Sequence, residues 1–403
     1  MAAASLIYLS LHGESYVIPN VKSKPVSNVV DTTKLGTLTV PVVGCGTISW
    51  TSNSLFSLEN EELEDVVSAA YRSNAAFFDT AERYGSHLKT AFGMGYGETE
   101  RLTNLLVRKA KVVDGPTRVD PVIASKFTPL PWRTTVESVV EACEQSCKNL
   151  GVDSIDLYQI HMPDIVQPLR AFGKVETKDT IYWDGIAKCY NEGLIKNVGV
   201  CNYGPTLVEQ CYNALAERGV PLASNQIAFS LLGRKNGSLE TIQKCNELGV
   251  KVLAYYPFAM GLLTGKYSKD TLKHEGGDGV ALDTSLTTRK KTSLEQQDLL
   301  RYASEEGFVP LITAMSNIAE RRRKTISQVA LNYIISKDVI PIPGCRTVSQ
   351  LEDNLGAMGW RLSETEIKRL ELLADELPNF DGAGFKRTNE KFVGYGIERW
   401  ELD

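Results

Sequence analysis

Residues 77–85 read FFDTAERYG: an aspartate follows directly on two aromatics, and a tyrosine comes five residues later. Two structures suit this stretch. A buried strand can end here and deliver Asp79 and Tyr84 to a pocket. Alternatively, Asp79 caps a turn, as aspartate often does, and Tyr84 packs by its ring. The choice depends on whether other apolar runs in the chain end the same way.

They recur at intervals: VPVVGCG (40–46), AAFFD (75–79), PVIASKF (121–127), SIDLYQIH (154–161), IKNVGVCN (195–202), ASNQIAF (223–229), KVLAYYP (251–257) and VIPIPG (339–344). Each is short, rich in Val and Ile, and bounded by turn residues, as a strand buried on both faces should be. Between them lie helical patterns at 57–73, 134–151, 180–193, 205–219, 238–249, 325–336 and 363–377. Thr134 with Glu137 and Ser363 with Glu366 have capping-box spacing. Pro205 opens one helix and Gly219 closes it. Eight strands alternating with helices predict an α/β fold, a closed (β/α)8 TIM barrel. A small N-terminal β-hairpin is expected within 33–44, and long loop insertions at 85–97 and about 268–310. The expected organisation is an N-terminal extension over 1–32, disordered or transit-like, a barrel over 33–377, and a tail over 378–403.

Composition narrows the function. The net charge is -5, with a hydrophobic content of 43%, which speaks against a phosphate-neutralising nucleic-acid surface. The dense basic run Arg321-Arg322-Arg323-Lys324 reads as the solvated end of a helix. Eight cysteines in 403 residues do not make a disulfide scaffold. Cys143 and Cys147 lack the partners of a zinc set, so no metal is expected. No apolar run is long enough to span a membrane, and no heptads indicate an oligomer. The first residues lack the basic region of a secretory signal. The expected location is the cytoplasm or, if they act as a transit segment, the chloroplast stroma.

Phosphate motifs fail in detail. Gly44-Cys45-Gly46 follows a strand, but the third glycine of a dinucleotide fingerprint would fall on Ser49. GLLTGKY (261–267) is one residue short of a P-loop, and Tyr267 replaces its Ser or Thr. There is no serine-hydrolase elbow.

The strand ends are more informative, because barrel active sites lie at the C-terminal rim. One strand ends in Asp79, with Tyr84 just beyond; the next ends in Lys126, and the next in His161. Singly, Lys126 could extend to solvent and His161 could be a core histidine. Together, three consecutive strands bring ionisable groups to one rim. A lysine cation stabilises a neighbouring phenolate, an aspartate can hold that lysine, and a neutral histidine can orient a carbonyl oxygen. That is a proton-donating site for carbonyl reduction.

With these residues in place, the chain resembles the aldo-keto reductase family. The matching pieces are FFDTAERYG, IASKF, DLYQIHMPD, VGVCNYG, SNQIAFSLL, LAYYPFAMGLLTGKY and PIPGCRTVSQLEDNLGA, in the family's order over about 33–375. It is also similar to the plant and algal plastid branch. The resemblance implies a barrel that binds NADPH without a Rossmann domain, and a small-molecule carbonyl as substrate. It implies a catalytic tetrad of Asp79, Tyr84, Lys126 and His161, with Tyr84 as proton donor. It implies Gly46 and Thr47 near the nicotinamide, Asn202 and Gln226 at its carboxamide, and Tyr255 stacked on its ring. Leu262, Gly265 and Lys266 would lie near the pyrophosphate. Arg346 would meet the 2′-phosphate, whose oxygens a guanidinium grips through paired donors, with Gln350, Asp353 and Asn354 near the adenine.

Two positions depart from the family pattern. Cys201 replaces the usual Ser before Asn202, and Tyr256 replaces the Ser after the stacking tyrosine. They support the alternative reading, an NADPH-binding regulatory or redox-sensing subunit with little turnover. The retained His161 favours an active enzyme. Trp50, Trp132 and the 85–97 insertion are expected either to line the pocket rim or, for the two tryptophans, to pack at the barrel edge.

Overall fold

The computed structural model describes residues 8–11, 14–17, 30–51, 59–85, 96–114, 120–164, 177–235, 237–267 and 299–380. The 85–97 and 268–310 insertions, and the tail beyond 380, lie largely outside them.

Two hairpins come first. Strands β1 (Tyr8–Leu11) and β2 (Glu14–Val17) pair antiparallel, inside the segment expected to be an N-terminal extension, disordered or transit-like. Strands β3 (Thr32–Leu35) and β4 (Leu38–Pro41) form the second hairpin, where the sequence places it. Gly36 at its tip has φ +54°, and a Cβ there would fall 2.2 Å from Asn197 Oδ1. The same oxygen accepts from the Thr37 N–H at 2.8 Å. The turn thus needs glycine both for its left-handed backbone and for its closeness to Asn197.

Eight parallel strands follow in sequence order: β5 (Cys45–Gly46), β6 (Phe77–Asp79), β7 (Val122–Phe127), β8 (Leu157–Ile160), β9 (Val198–Cys201), β10 (Leu222–Ala228), β11 (Lys251–Tyr255) and β12 (Ile340–Pro341). They are the eight runs picked out in the sequence. A parallel bridge between Gly46 and Gly344 joins the two edges. The Gly44 N–H donates to Pro341 O and the Gly46 N–H to Pro343 O, both at 2.9 Å. The sheet therefore closes, with no open edge strand.

The helices are α1 (Glu59–Arg72), α2 (Glu98–Asp114), α3 (Val136–Leu150), α4 (Asp179–Asn191), α5 (Pro205–Glu217), α6 (Ser238–Glu247), α7 (Phe308–Arg322), α8 (Ile326–Ile335), α9 (Val348–Leu355) and α10 (Glu364–Asp375). α7 ends where the basic run begins, with Arg323 in the left-handed region. α8 and α10 start with complete capping boxes, Thr325 with Gln328 and Ser363 with Glu366. α3 departs from expectation. Thr135, not Thr134, has the extended backbone of a cap and accepts from the Ser138 N–H, so Glu137 completes no box.

One core fills the barrel's closed end: Leu35 and Val40 of the hairpin pack with Phe77, Val122, Ala124, Leu157, Leu253 and Ile340. Each large side chain of this layer contributes about 1.5–3 kcal/mol by burial. The hairpin thus closes the N-terminal end, and the polar residues gather at the other.

Candidate active site

The strand register delivers the polar groups. Asp79 ends β6, Lys126 is the fifth residue of β7, and His161 directly follows β8. The His161 N–H donates to Phe127 O at 2.8 Å, which extends the β7–β8 ladder by one step. Tyr84 sits in the turn after β6. Its N–H donates to Ala81 O at 3.1 Å, and its carbonyl accepts from Thr99 at the start of α2.

These groups meet. Lys126 is fully buried, and its Nζ donates to Asp79 Oδ2 at 2.6 Å, to Thr80 O at 2.8 Å and to Tyr84 Oη at 3.2 Å. All three ammonium donors are thereby used, which compensates for taking the charge out of water. The Tyr84 and His161 rings pack edge to face, 5.7 Å between centroids.

The electrostatics assign a proton to each group. Burial raises the Tyr84 hydroxyl; Lys126 draws it down, Asp79 pushes it up again, and the result is about 12. Lys126 thus acts in the expected direction, but burial outweighs it and the phenol stays protonated. Burial pulls Lys126 itself down, yet Asp79 and Tyr84 more than restore it, so it remains a cation. Burial, then the Lys126 and Arg83 charges, hold His161 well below its usual range. It is neutral at physiological pH, and its buried Nδ1 has no hydrogen-bond partner among the described residues.

Asp79 has further support that the sequence reading missed. Its Oδ1 accepts from Gln226 Nε2 at 2.8 Å and from Gln159 Nε2 at 3.3 Å. Asp79, Gln159 and Gln226 lie on β6, β8 and β10, the alternate strands that supply one layer of a barrel interior. Gln159 carries no sequence signal beyond being one polar residue inside the apolar run DLYQIH. Glu82 was also missed. It is buried, accepts from the Thr128 N–H at 2.5 Å and pairs with Arg133, fastening the Tyr84 turn to the loop after β7.

The residues expected around the nicotinamide surround the same corner. Gly46 ends β5, and Thr47 donates through both N–H and Oγ1 to Asp79 O at 3.0 Å. Asn202 has φ +63°. Its Nδ2 donates to His161 O at 3.1 Å, and its Oδ1 accepts from Tyr255 Oη at 2.7 Å. Cys201 is buried behind them, and burial pushes its thiol up. Tyr256, with φ +54°, is exposed and stacks edgewise on Tyr255.

The more distant set is arranged around the start of α8. A 3-10 turn (Ala259–Thr264) carries buried Leu262 and ends at Gly265, φ +80°, where a Cβ would fall 2.7 Å from Ile326 Cδ1. Lys266 follows. The Arg346 N–H donates to Gln350 Oε1 at 2.8 Å, ahead of α9 and its cap Thr347. Asp353 Oδ1 accepts from Thr325 Oγ1 at 2.8 Å and Gln328 Nε2 at 3.0 Å, so this carboxylate braces the α8 cap. Asn354 is buried.

The two tryptophans separate. Trp50 is 1% exposed, packs on Phe78 and donates to Cys345 O at 3.0 Å, so it belongs to the core and not to a rim. Trp132 is 67% exposed. Among the described residues no cluster of His, Cys, Asp or Glu is placed to hold a metal ion, and no helix is long and apolar enough to cross a membrane.

Fold and site together define a closed α/β barrel with a buried cluster of Asp79, Lys126, Tyr84 and His161 at its C-terminal rim. Residues 42–375 match the Aldo/keto reductase family, and the chain belongs to it. It is similar to the chloroplastic pyridoxal reductase of Arabidopsis thaliana, with 35% identity over 86% of each chain. It is also similar to the aldo-keto reductase str7 of Strobilurus tenacellus, 27% identical over 79% of this chain and 82% of that one. Among solved structures, the glycerol dehydrogenase AKR11B4 of Gluconobacter oxydans superposes with a TM-score of 0.66 at 21% identity, covering 87% of this chain and 97% of that one. The Bombyx mori aldo-keto reductase AKR2E4, crystallised with NADP, gives 0.61 at 21% identity, covering 89% and 97%.

Proposed function

We propose that this chain is an NADPH-dependent reductase of a small aldehyde or ketone, with Tyr84 as the proton donor. The observation that carries the reading is the Lys126 ammonium, which contacts Asp79 at 2.6 Å and Tyr84 Oη at 3.2 Å at once. A neutral phenol next to a fixed cation can release its proton when negative charge develops on a carbonyl oxygen.

The residues present fit a dinucleotide. Asn202 and Gln226 offer amide groups at the rim beside the half-buried Tyr255 ring. Gly265 lets the turn pack against Ile326 at the start of α8, and Arg346 precedes the N-terminus of α9, where backbone N–H groups and the helix dipole favour a phosphate. Asn202, Gln226 and Tyr255 would hold the nicotinamide end. Leu262, Gly265 and Lys266 would flank the pyrophosphate, and Arg346 with Gln350, Asp353 and Asn354 would hold the adenosine end. When bound, NADPH supplies the hydride to the carbonyl carbon. Tyr84 Oη then gives its proton to the carbonyl oxygen, Lys126 stabilises the phenolate left behind, and Asp79 keeps Lys126 in place. The neutral His161 orients the carbonyl by hydrogen bonding.

For the substrate, the similarity to a pyridoxal reductase favours an aromatic aldehyde of the pyridoxal type. The test is NADPH oxidation by purified protein with pyridoxal, an unsubstituted aromatic aldehyde, an aliphatic aldehyde and a ketone. Aldehyde turnover with the highest kcat/KM for pyridoxal is expected. NADPH binding without turnover on any of the four would overturn the reductase reading in favour of a regulatory subunit. The same relative supports a plastid location, and a fluorescent fusion of the full chain that stays in the cytosol of plant cells would contradict it.

A further inference from the structure

The barrel is closed at its seam by few groups. β5 and β12 contribute two residues each, and the edges meet through the Gly46–Gly344 bridge and the Gly44 and Gly46 N–H donors. Cys45 and Cys345 flank this bridge, 300 positions apart in sequence. Their Sγ atoms are 3.0 Å apart, and both side chains are buried, at 2% and 0% exposure. The pair packs between the sheet and the outer helices, with Trp50 donating to Cys345 O above it. The remaining six cysteines are also free thiols.

We propose that Cys45 and Cys345 are a built disulfide site, a redox-formed staple that locks the barrel seam. The sulfurs need to move together by only about 1 Å to reach an S–S bond of roughly 2.05 Å. Burial restricts the oxidant to a small molecule, and hydrogen peroxide is the class that fits. Peroxide converts one thiol to a sulfenic acid and releases one water. The second thiol attacks that sulfur, the S–S bond forms, and the hydroxyl leaves as a second water. Two thiols are oxidised and one peroxide is reduced. Hydrogen bonding between the two thiols, and then burial, raise Cys45 well above its usual range, so thiolate is scarce and formation is slow at neutral pH. A bond that joins the two ends of the barrel removes much of the unfolded chain's freedom, because the loop it closes is long. It also fixes Gly46-Thr47 and Arg346, the immediate neighbours of the two cysteines.

The experiment uses the full chain, reduced, desalted, exposed to peroxide, alkylated and digested without reductant. A single linked peptide joining Cys45 to Cys345 is expected, with two of the eight thiols lost and regained on adding dithiothreitol. The thermal midpoint of the oxidised protein should rise by roughly 5 °C or more, and neither Cys45→Ala nor Cys345→Ser should show that rise. Recovery of both cysteines alkylated, their separate over-oxidation, or their linkage to other cysteines would overturn the proposal. So would a linked protein with an unchanged midpoint. Because the mapping is done on the natural sequence, a variant that fails to fold does not remove the test.

Discussion

The two ends of the candidate site are built differently. At the Lys126 corner, side chains from β6, β7, β8 and β10 and from the turn after β6 bond to one another: Lys126 to Asp79 and Tyr84, and Gln159 and Gln226 to Asp79. At the far end, the backbone does most of the shaping. Tyr256, Ala259, Met260, Gly261 and Gly265 all have positive φ within ten residues, and Arg346 meets Gln350 just before α9. A proton-transfer site needs fixed distances, and buried ionic hydrogen bonds on strands supply them. A phosphate track needs exposed N–H groups and room for a close approach, which turns and helix N-termini supply. Substitutions at the first end should therefore act on chemistry and stability, and at the second on cofactor affinity.

The sharpest way to break this contrast is Lys126→Met. It leaves Asp79 buried without its partner, so a loss of about 3–5 kcal/mol of stability is expected by denaturant titration. Turnover should fall by roughly 10³-fold or more. Loss of activity with unchanged stability would show that the pair is not the structural anchor described here. Arg346→Ala should leave kcat nearly unchanged and raise KM for NADPH about 10–100-fold, with little effect on NADH. An equal effect on both cofactors would place Arg346 away from the 2′-phosphate.

Protonation separates the ends further. His161 is neutral in the folded protein because burial and the Lys126 and Arg83 charges depress its pKa. The pH profile of kcat should show no inflection near 6.5, the ordinary histidine value. Below about pH 6.5 the unfolded chain binds a proton that the folded chain does not, so folding weakens as pH falls through that range. His161→Gln should flatten this acid-side loss in thermal melts. The smallest effect should come from Thr325→Ala. It removes the α8 cap and one bond to Asp353, and should cost about 1 kcal/mol, with a slight rise in KM for NADPH if Asp353 belongs to the track.

Much of this was legible in the chain. The eight apolar runs mark all eight barrel strands, because a strand buried on both faces is largely apolar and ends in a turn, even though β10 carries Ser224, Asn225 and Gln226 in its middle. Asp79, Lys126 and His161 stand out because each interrupts such a run at its C-terminal end. Three helices carried weaker signals. α2 and α9 adjoin loops that dominate their local pattern, and α7 begins inside a polar stretch that reads as an insertion. Gln159 escaped notice because a single amide in the middle of a strand has no pattern of its own. Its role appears only when the barrel closes and brings β6, β8 and β10 into one layer. The Trp50 assignment needed coordinates too, since an aromatic just past a strand end suits a pocket rim and a core equally. The Cys45–Cys345 contact joins residues 300 positions apart, a distance no local pattern spans.

The central claim is that Tyr84 gives the proton, and the most direct test pairs Tyr84→Phe with the natural protein. NADPH affinity would be measured by fluorescence titration and turnover by NADPH absorbance with pyridoxal. Removing one hydroxyl from a general acid should lower kcat by about 10²–10⁴-fold while the dissociation constant for NADPH stays within about twofold. A phenylalanine variant that binds NADPH and turns over at the natural rate would contradict the account.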